Sequence, residues 1–217
     1  MYCPAHFAES RPEALHALMR EHPLATLITI GESGLNADHV PLILETAADG
    51  STVLRGHVAR ANPMWKTLRA DVEALAIFHG PEAYITPSWY PTKREHGKAV
   101  PTWNYAVVHA RGPLRIIQDA DWLRTQVESL TQRQESAFAE PWAVSDAPAD
   151  YIEKMLAAIV GIELAITSLE GKWKTSQNQQ EGNRDGAAQG LQALGTDDAL
   201  RMAELVCRNG SHRAPPD

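Results

Sequence analysis

The chain has 217 residues, 22% of them charged and 44% hydrophobic, with a formal net charge of −7. That is the profile of an ordinary globular protein, long enough to bury its own core. It excludes a disulfide scaffold, a membrane span of roughly 18 uninterrupted apolar residues, and a nucleic-acid surface built on overall basicity.

Taken in chain order, Ser10, Pro12 and Glu13 predict a capping box, opening a helix that stops at Pro23. Residues 24–30, 31–34 and 35–44 read as strand, turn and strand. A turn at 48–50 and a strand at 51–58 follow. Asn62 and Pro63 predict a helix start at 62–71. The runs 73–80, 82–87 and 104–117 are β-branched or aromatic and punctuated by Gly and Pro, as antiparallel strands of a barrel require. Residues 119–136 and 148–160 are amphipathic and helical, 161–174 returns to strand, and 185–208 is helical again. Strands, a helical excursion and a returning strand predict an α+β barrel forming a single domain over 1–208. That domain carries a helical insertion near 119–160, and residues 209–217 form a disordered tail. With no βαβ alternation and no GxGxxG, a dinucleotide fold is not expected. Cys3 and Cys207 read as reduced thiols, and the N-terminus lacks the basic start and apolar core of a signal peptide. Both point to the cytoplasm.

Three segments carry candidate chemistry. Residues 54–63, "LRGHVARANP", place Arg55, Gly56, His57, Arg60 and Asn62 where a strand runs into a helix start, a setting that favours phosphate. The passage "YITPSWYPTKREHGKAVPTWNY" at 84–105 brings Lys98, Val100, Pro101, Thr102, Trp103 and Asn104 together. Residues 172–179, "KWKTSQNQ", add Lys174, Ser176, Gln177 and Asn178. A flat heteroaromatic bearing a phosphate needs such parts: cations and hydroxyls for the phosphate, an apolar wall for the ring, and amides for its polar edge. Each segment also has a structural explanation, as helix cap, barrel aromatics or solvated strand end. The histidines show no metal-ligand spacing, no GxSxG elbow is present, and no acid–base pair stands out. The chemistry would then belong to the ligand.

The 84–105 passage closely resembles the signature of the PaiB family of FMN-binding negative transcriptional regulators. "MYCPAHFAE", "ADHVPLIL", "LRGHVARANPMW" and "GIELAITSLEGKWKTSQNQ" extend the resemblance over most of the chain. Gln179, Asn183 and Ala187 depart from the family's usual continuation after "SQN", and Ala99 replaces a larger aliphatic residue. The resemblance implies a split β-barrel related to pyridoxamine-phosphate oxidases, FMN as cofactor, and a homodimer with flavin at the subunit interface. It implies a phosphate end served by Arg55, His57 and Asn62, with 98–104 along the ring and ribityl chain. It also implies a negative regulator, which the acidic charge makes an indirect one, with direct DNA binding doubtful. A flavin-dependent oxidoreductase is the alternative reading, and a haem-binding split barrel a weaker one.

Overall fold

In the computed structural model, residues 1–46 and 50–210 are described. The turn expected at 48–50 falls largely outside them, as does most of the tail expected at 209–217. The chain divides into two compact units. One comprises residues 1–18, 79–108 and 170–217; the other comprises 19–78 and 109–169.

In the second unit, β2 (Leu24–Gly31) buries Ala25, Leu27 and Thr29 on one side, the alternation of a half-buried strand. It turns through Glu32 and Ser33 into β3 (Gly34–Pro41), with Gly31 opposite Gly34. Gly34 takes φ +107°, a conformation that only glycine adopts cheaply. The run 35–44 is not one strand: it breaks at Leu42, and β4 (Ile43–Thr46) joins a different sheet. That sheet has the order β4, β5 (Thr52–Ala59), β9 (Ile159–Ala165) and β8 (Leu114–Ile117), antiparallel throughout. Gly56 on β5 is obligatory, because a Cβ there would lie 2.7 Å from the Pro41 carbonyl oxygen. Between Asn62 and Asp71 the helix is one turn, α2 (Met64–Thr67). Helices α4 (Ala120–Glu135) and α5 (Ala149–Ala157) form the predicted insertion, packing Leu123, Val144, Ile152 and Leu156 together.

Strands β10 (Ser168–Lys174), β7 (Thr102–Gly112) and β6 (Ala74–Ile85) each have residues in both units, and their first-unit parts stand in the order β1 (Ala8–Glu9), β10, β7 and β6. The two strands expected at 73–80 and 82–87 are one, β6, running through Gly80 and Pro81. Its buried positions are Ala74, Ala76 and Phe78, then Pro81, Ala83 and Ile85. The inward side therefore changes at 79–80, where a Cβ on Gly80 would meet Leu18 at 2.7 Å and the Ala106 oxygen at 3.2 Å. The run 104–117 divides at Pro113 into β7 and β8, and 161–174 divides into β9 and β10. Just before helix α1 (Pro12–Glu21) the Glu9 carboxylate accepts the Arg11 N–H at 2.9 Å.

The 84–96 stretch continues as a 3-10 turn at Pro87–Trp89 and a short helix α3 (Pro91–His96). The C-terminal helical region is two helices, α6 (Glu181–Leu194) and α7 (Asp197–Gly210), separated by Gly195 at φ +68°. Gly186 and Gly190 on α6 face Trp89. A Cβ would lie 2.0 Å from the Trp89 oxygen at the first and 2.2 Å from its ring at the second. Around that contact Ile85, Tyr90, Leu191, Met202 and Val206 form a buried cluster.

Candidate functional site

Two of the three predicted sets lie in the first unit, on neighbouring strands. The Lys174 ammonium at the end of β10 donates to the Thr102 hydroxyl on β7 at 2.5 Å. Two residues further along β7, the buried Asn104 amide donates to Oγ of Ser176, in the loop after β10, at 2.9 Å, and Ser176 donates back to Asn104 Oδ1 at 3.3 Å. Ser176 holds φ +63°, the sole positive value among described non-glycine residues. Such a conformation costs about 1–3 kcal/mol and persists only where surroundings enforce it. The enforcement is visible. Gln177 Oε1 accepts the Thr175 N–H at 2.7 Å, its amide donates to the Trp173 carbonyl, and Gln179 N–H donates to the Ser176 carbonyl at 3.0 Å. Asn178 is exposed at the tip.

On the approach to β7, Gly97 turns the chain at φ +70°, and the Lys98 N–H donates to His96 Nδ1 at 3.0 Å. Lys98, Val100 and Pro101 are exposed, and so is Trp103, at 53%, its ring edge-to-face with Tyr84 at 5.9 Å. Among the described residues Lys174 is thus a cation bonded only to a neutral hydroxyl, while Trp103, the residue after Thr102 on β7, projects to the other face of the strand and meets Tyr84.

The Arg55–Asn62 set lies in the second unit and is mostly engaged by the protein itself. Arg55 pairs with Glu45 at 2.5 Å and Glu163 at 2.8 Å, and Arg115 pairs with the other Glu163 oxygen at 2.6 Å. Strand register puts these side by side: Glu163 on β9 stands opposite Arg55 on β5 and Arg115 on β8. Burial pushes the Glu163 carboxyl up, but hydrogen bonds from Arg55 and Arg115 outweigh it, and the group titrates below its ordinary range. Arg60 donates to the Ala157 and Ile159 carbonyls and to Gln118, closing the end of α5. Asn62 accepts the Met64 N–H at 2.9 Å, the capping chemistry expected of it, and donates to Asp38 at 2.8 Å. His57 is the exception. Its Nδ1 meets Gln126 Oε1 of α4 at 2.8 Å, and the Gln126 amide nitrogen, in a side chain only 3% exposed, has no partner among the described residues. Turning that amide over would merely leave its oxygen unmet.

Several contributors lie outside the predicted set. Asn183, buried on α6, accepts from the Thr92 hydroxyl at 3.1 Å and donates to Gln179 at 3.1 Å, tying α3 to the loop after β10. Asn209 on α7 donates to the Thr175 hydroxyl at 3.0 Å. Tyr90 lies buried beside Ser176; burial raises its phenol above the ordinary range and the serine pulls it partly back. Tyr84 and Tyr90 stand within the aromatic passage, whereas Gln126, Asn183 and Asn209 carry no local signal. Among the described residues no three of His, Cys, Asp and Glu gather to hold a metal, and no helix is long and apolar enough to cross a membrane.

The fold defines the class: antiparallel sheets with flanking helices, the α+β split barrel of flavin-binding proteins. Solved structures of like fold include the flavocytochrome Anf3 of Azotobacter vinelandii, with TM-score 0.56 and 13% identity over 77% of this chain and 69% of that one. The FAD and heme binding protein of Mycobacterium smegmatis gives 0.52 and 18%, over 77% and 73%. The chain belongs to the family described as "Putative FMN-binding domain", which it matches over residues 1–168. The PaiB likeness holds as well: the chain is 31% identical to the protease synthase and sporulation protein PAI 2 of Bacillus subtilis, over 95% of this chain and 96% of that protein. An uncharacterized protein of Emericella nidulans is 38% identical over 97% and 98%. The family's cofactor is FMN, and the Lys174–Thr102 pair is a donor set that suits its phosphate.

Proposed function

We propose that the protein is a cytoplasmic, homodimeric FMN-binding regulator of the PaiB type, lowering transcription without itself gripping DNA. The observation carrying the flavin assignment is the Lys174–Thr102 pair, a cation held by a neutral hydroxyl. A dianionic phosphate favours a cation whose charge is not already neutralised. Arg55 faces two carboxylates and Arg60 closes a helix end, while Lys174 faces a neutral hydroxyl. Lys174 and Thr102 are therefore assigned to the phosphate, and Asn104 and Ser176 to the geometry of β7 and the loop after β10; Val100 and Trp103 are assigned to the ring on the family resemblance. Gly56, His57, Arg60 and Asn62 enter on the family resemblance. Bound FMN would supply one- and two-electron chemistry; the chain's own part is to hold and orient the flavin.

The test is a fluorescence titration of flavin-free protein with FMN and FAD. FMN should bind more tightly. Lys174→Met should weaken FMN by about 1.5–3 kcal/mol, roughly 10- to 160-fold, for one lost charge-assisted bond. Equal binding of FAD, or an unaltered FMN affinity in Lys174→Met, would overturn the assignment.

A further inference from the structure

The chain leaves β8 at Ile117, makes the α4–α5 hairpin, and returns at Ile159. One side of the hairpin is buried: Leu123, Val144, Ile152 and Leu156 pack with Trp122 and Val127, and Gly161 makes room for the Trp122 ring. Beside the buried stripe, the exposed residues are not what solvent selects. Phe138 is 63% exposed, Trp142 44%, Tyr151 52% and Met155 45%. A single exposed apolar side chain needs no explanation. Three aromatics and a methionine within residues 138–155 do, and Tyr151 and Met155 stand one turn apart on α5.

The loop that carries two of them is held in place by its own bonds. Phe138 N–H donates to the Glu135 carbonyl and Trp142 N–H to the Glu135 carboxylate, each at 2.9 Å. Asp146 receives the Ala143 N–H at 2.9 Å. Side chains presented on a fixed loop lose little further freedom on binding, which favours a partner. Charge specifies the partner's kind. Residues 119–157 hold eight carboxylates and three cations. Of the cations, Lys154 is paired with Asp150 and Arg133 donates to the Leu44 carbonyl.

We infer that the α4–α5 hairpin is a docking surface for a protein segment that is both basic and apolar. Its apolar side chains cover Trp142, Phe138, Tyr151 and Met155. Its Lys or Arg residues meet the surrounding carboxylates and the aromatic faces. Nucleic acid and anionic lipid share the hairpin's sign of charge and are repelled. The inference rests on the second unit alone and is independent of the flavin assignment.

The test titrates the full-length, FMN-loaded protein with a labelled amphipathic helix of leucine and lysine, read by anisotropy. Controls are an oligolysine and a leucine–glutamate helix of equal length. The leucine–lysine peptide should bind. Its affinity should fall at least about tenfold in Trp142→Ser, and again in Tyr151→Ser/Met155→Ser, the size expected when an interface anchor is removed. Flavin affinity, which reports the fold, should stay unchanged in both variants. Equal binding of oligolysine would reduce the surface to bare charge, and equal binding of the acidic helix to bare apolarity; either overturns the inference. Unaltered peptide affinity in both variants also overturns it. So does self-association of the protein that these variants abolish, which would give the face to a second copy of the chain.

Discussion

A lysine bonded to a hydroxyl keeps its charge for a ligand, whereas an arginine between two carboxylates does not. From this, Arg55→Met should act on the fold and not on the flavin. It should lower stability by about 1–2 kcal/mol, between the values for exposed and buried pairs, because Arg55 is a third exposed and Glu163 nearly buried. Its FMN affinity should stay within about twofold of the parent, a change of under half a kcal/mol; chemical denaturation and titration measure the two effects separately. Glu163 makes a second test. Its pKa is depressed in the folded state, so its contribution is complete above the unfolded carboxylate pKa of about 4.3 and lost as pH falls through the lower folded value. Melting temperatures between pH 3 and 6 should drop more steeply in the parent than in Glu163→Gln. At this scale the sequence announced residue types better than residue roles. Arg55, Lys174 and Asn104 were conspicuous beside aromatic and glycine neighbours. Which cation stays available depends on Glu45 and Glu163, and Glu163 lies 108 positions from Arg55 and becomes its neighbour only through strand register.

Elements were legible wherever burial alternated without interruption, as in β2 and β5. They were misread where local chemistry and tertiary packing disagree. Gly80 and Pro81 look like a turn, yet β6 continues through them because glycine permits close approach to Ala106 while the inward side changes. Pro113 had the opposite effect, ending β7 where the hydrophobic run continued. The amide set that shapes the loop after β10 was illegible for a related reason. Asn183 and Asn209 sit on helices, where an asparagine usually faces solvent, and only the docking of α6 and α7 gives them Thr92 and Thr175 as partners.

For the molecule as a whole, exposed Tyr84 and Trp103, edge to face at 5.9 Å, make an apolar patch that the proposed second copy would cover. Sedimentation at micromolar concentration should give twice the 23.8 kDa chain mass; a monomer with FMN bound would contradict the homodimer. Doubling a net charge of −7 strengthens repulsion from a duplex. The densest run of cations, Lys93, Arg94 and Lys98, is offset by Glu95 within it. In gel-shift assays at about 0.15 M salt, purified protein should leave upstream DNA unshifted, with and without FMN, as expected where few phosphates are neutralised. A shift abolished by Lys93→Glu and Arg94→Glu would make the regulation direct.

The contact between α6 and Trp89 also bears on the order in which the chain becomes protected from solvent. Gly182, Gly186 and Gly190 each lower helix propensity by about 1 kcal/mol relative to alanine, so this segment is a poor helix by itself. It gains its helicity from lying against residues 89–91, which at Gly186 and Gly190 only glycine permits. The two segments should then open together. Amide hydrogen exchange should show α6 and residues 87–96 sharing one opening free energy, distinct from that of β9. Gly190→Val should raise exchange in both while leaving β9 protected. Independent exchange of α6 would mean that the helix stands without its tryptophan.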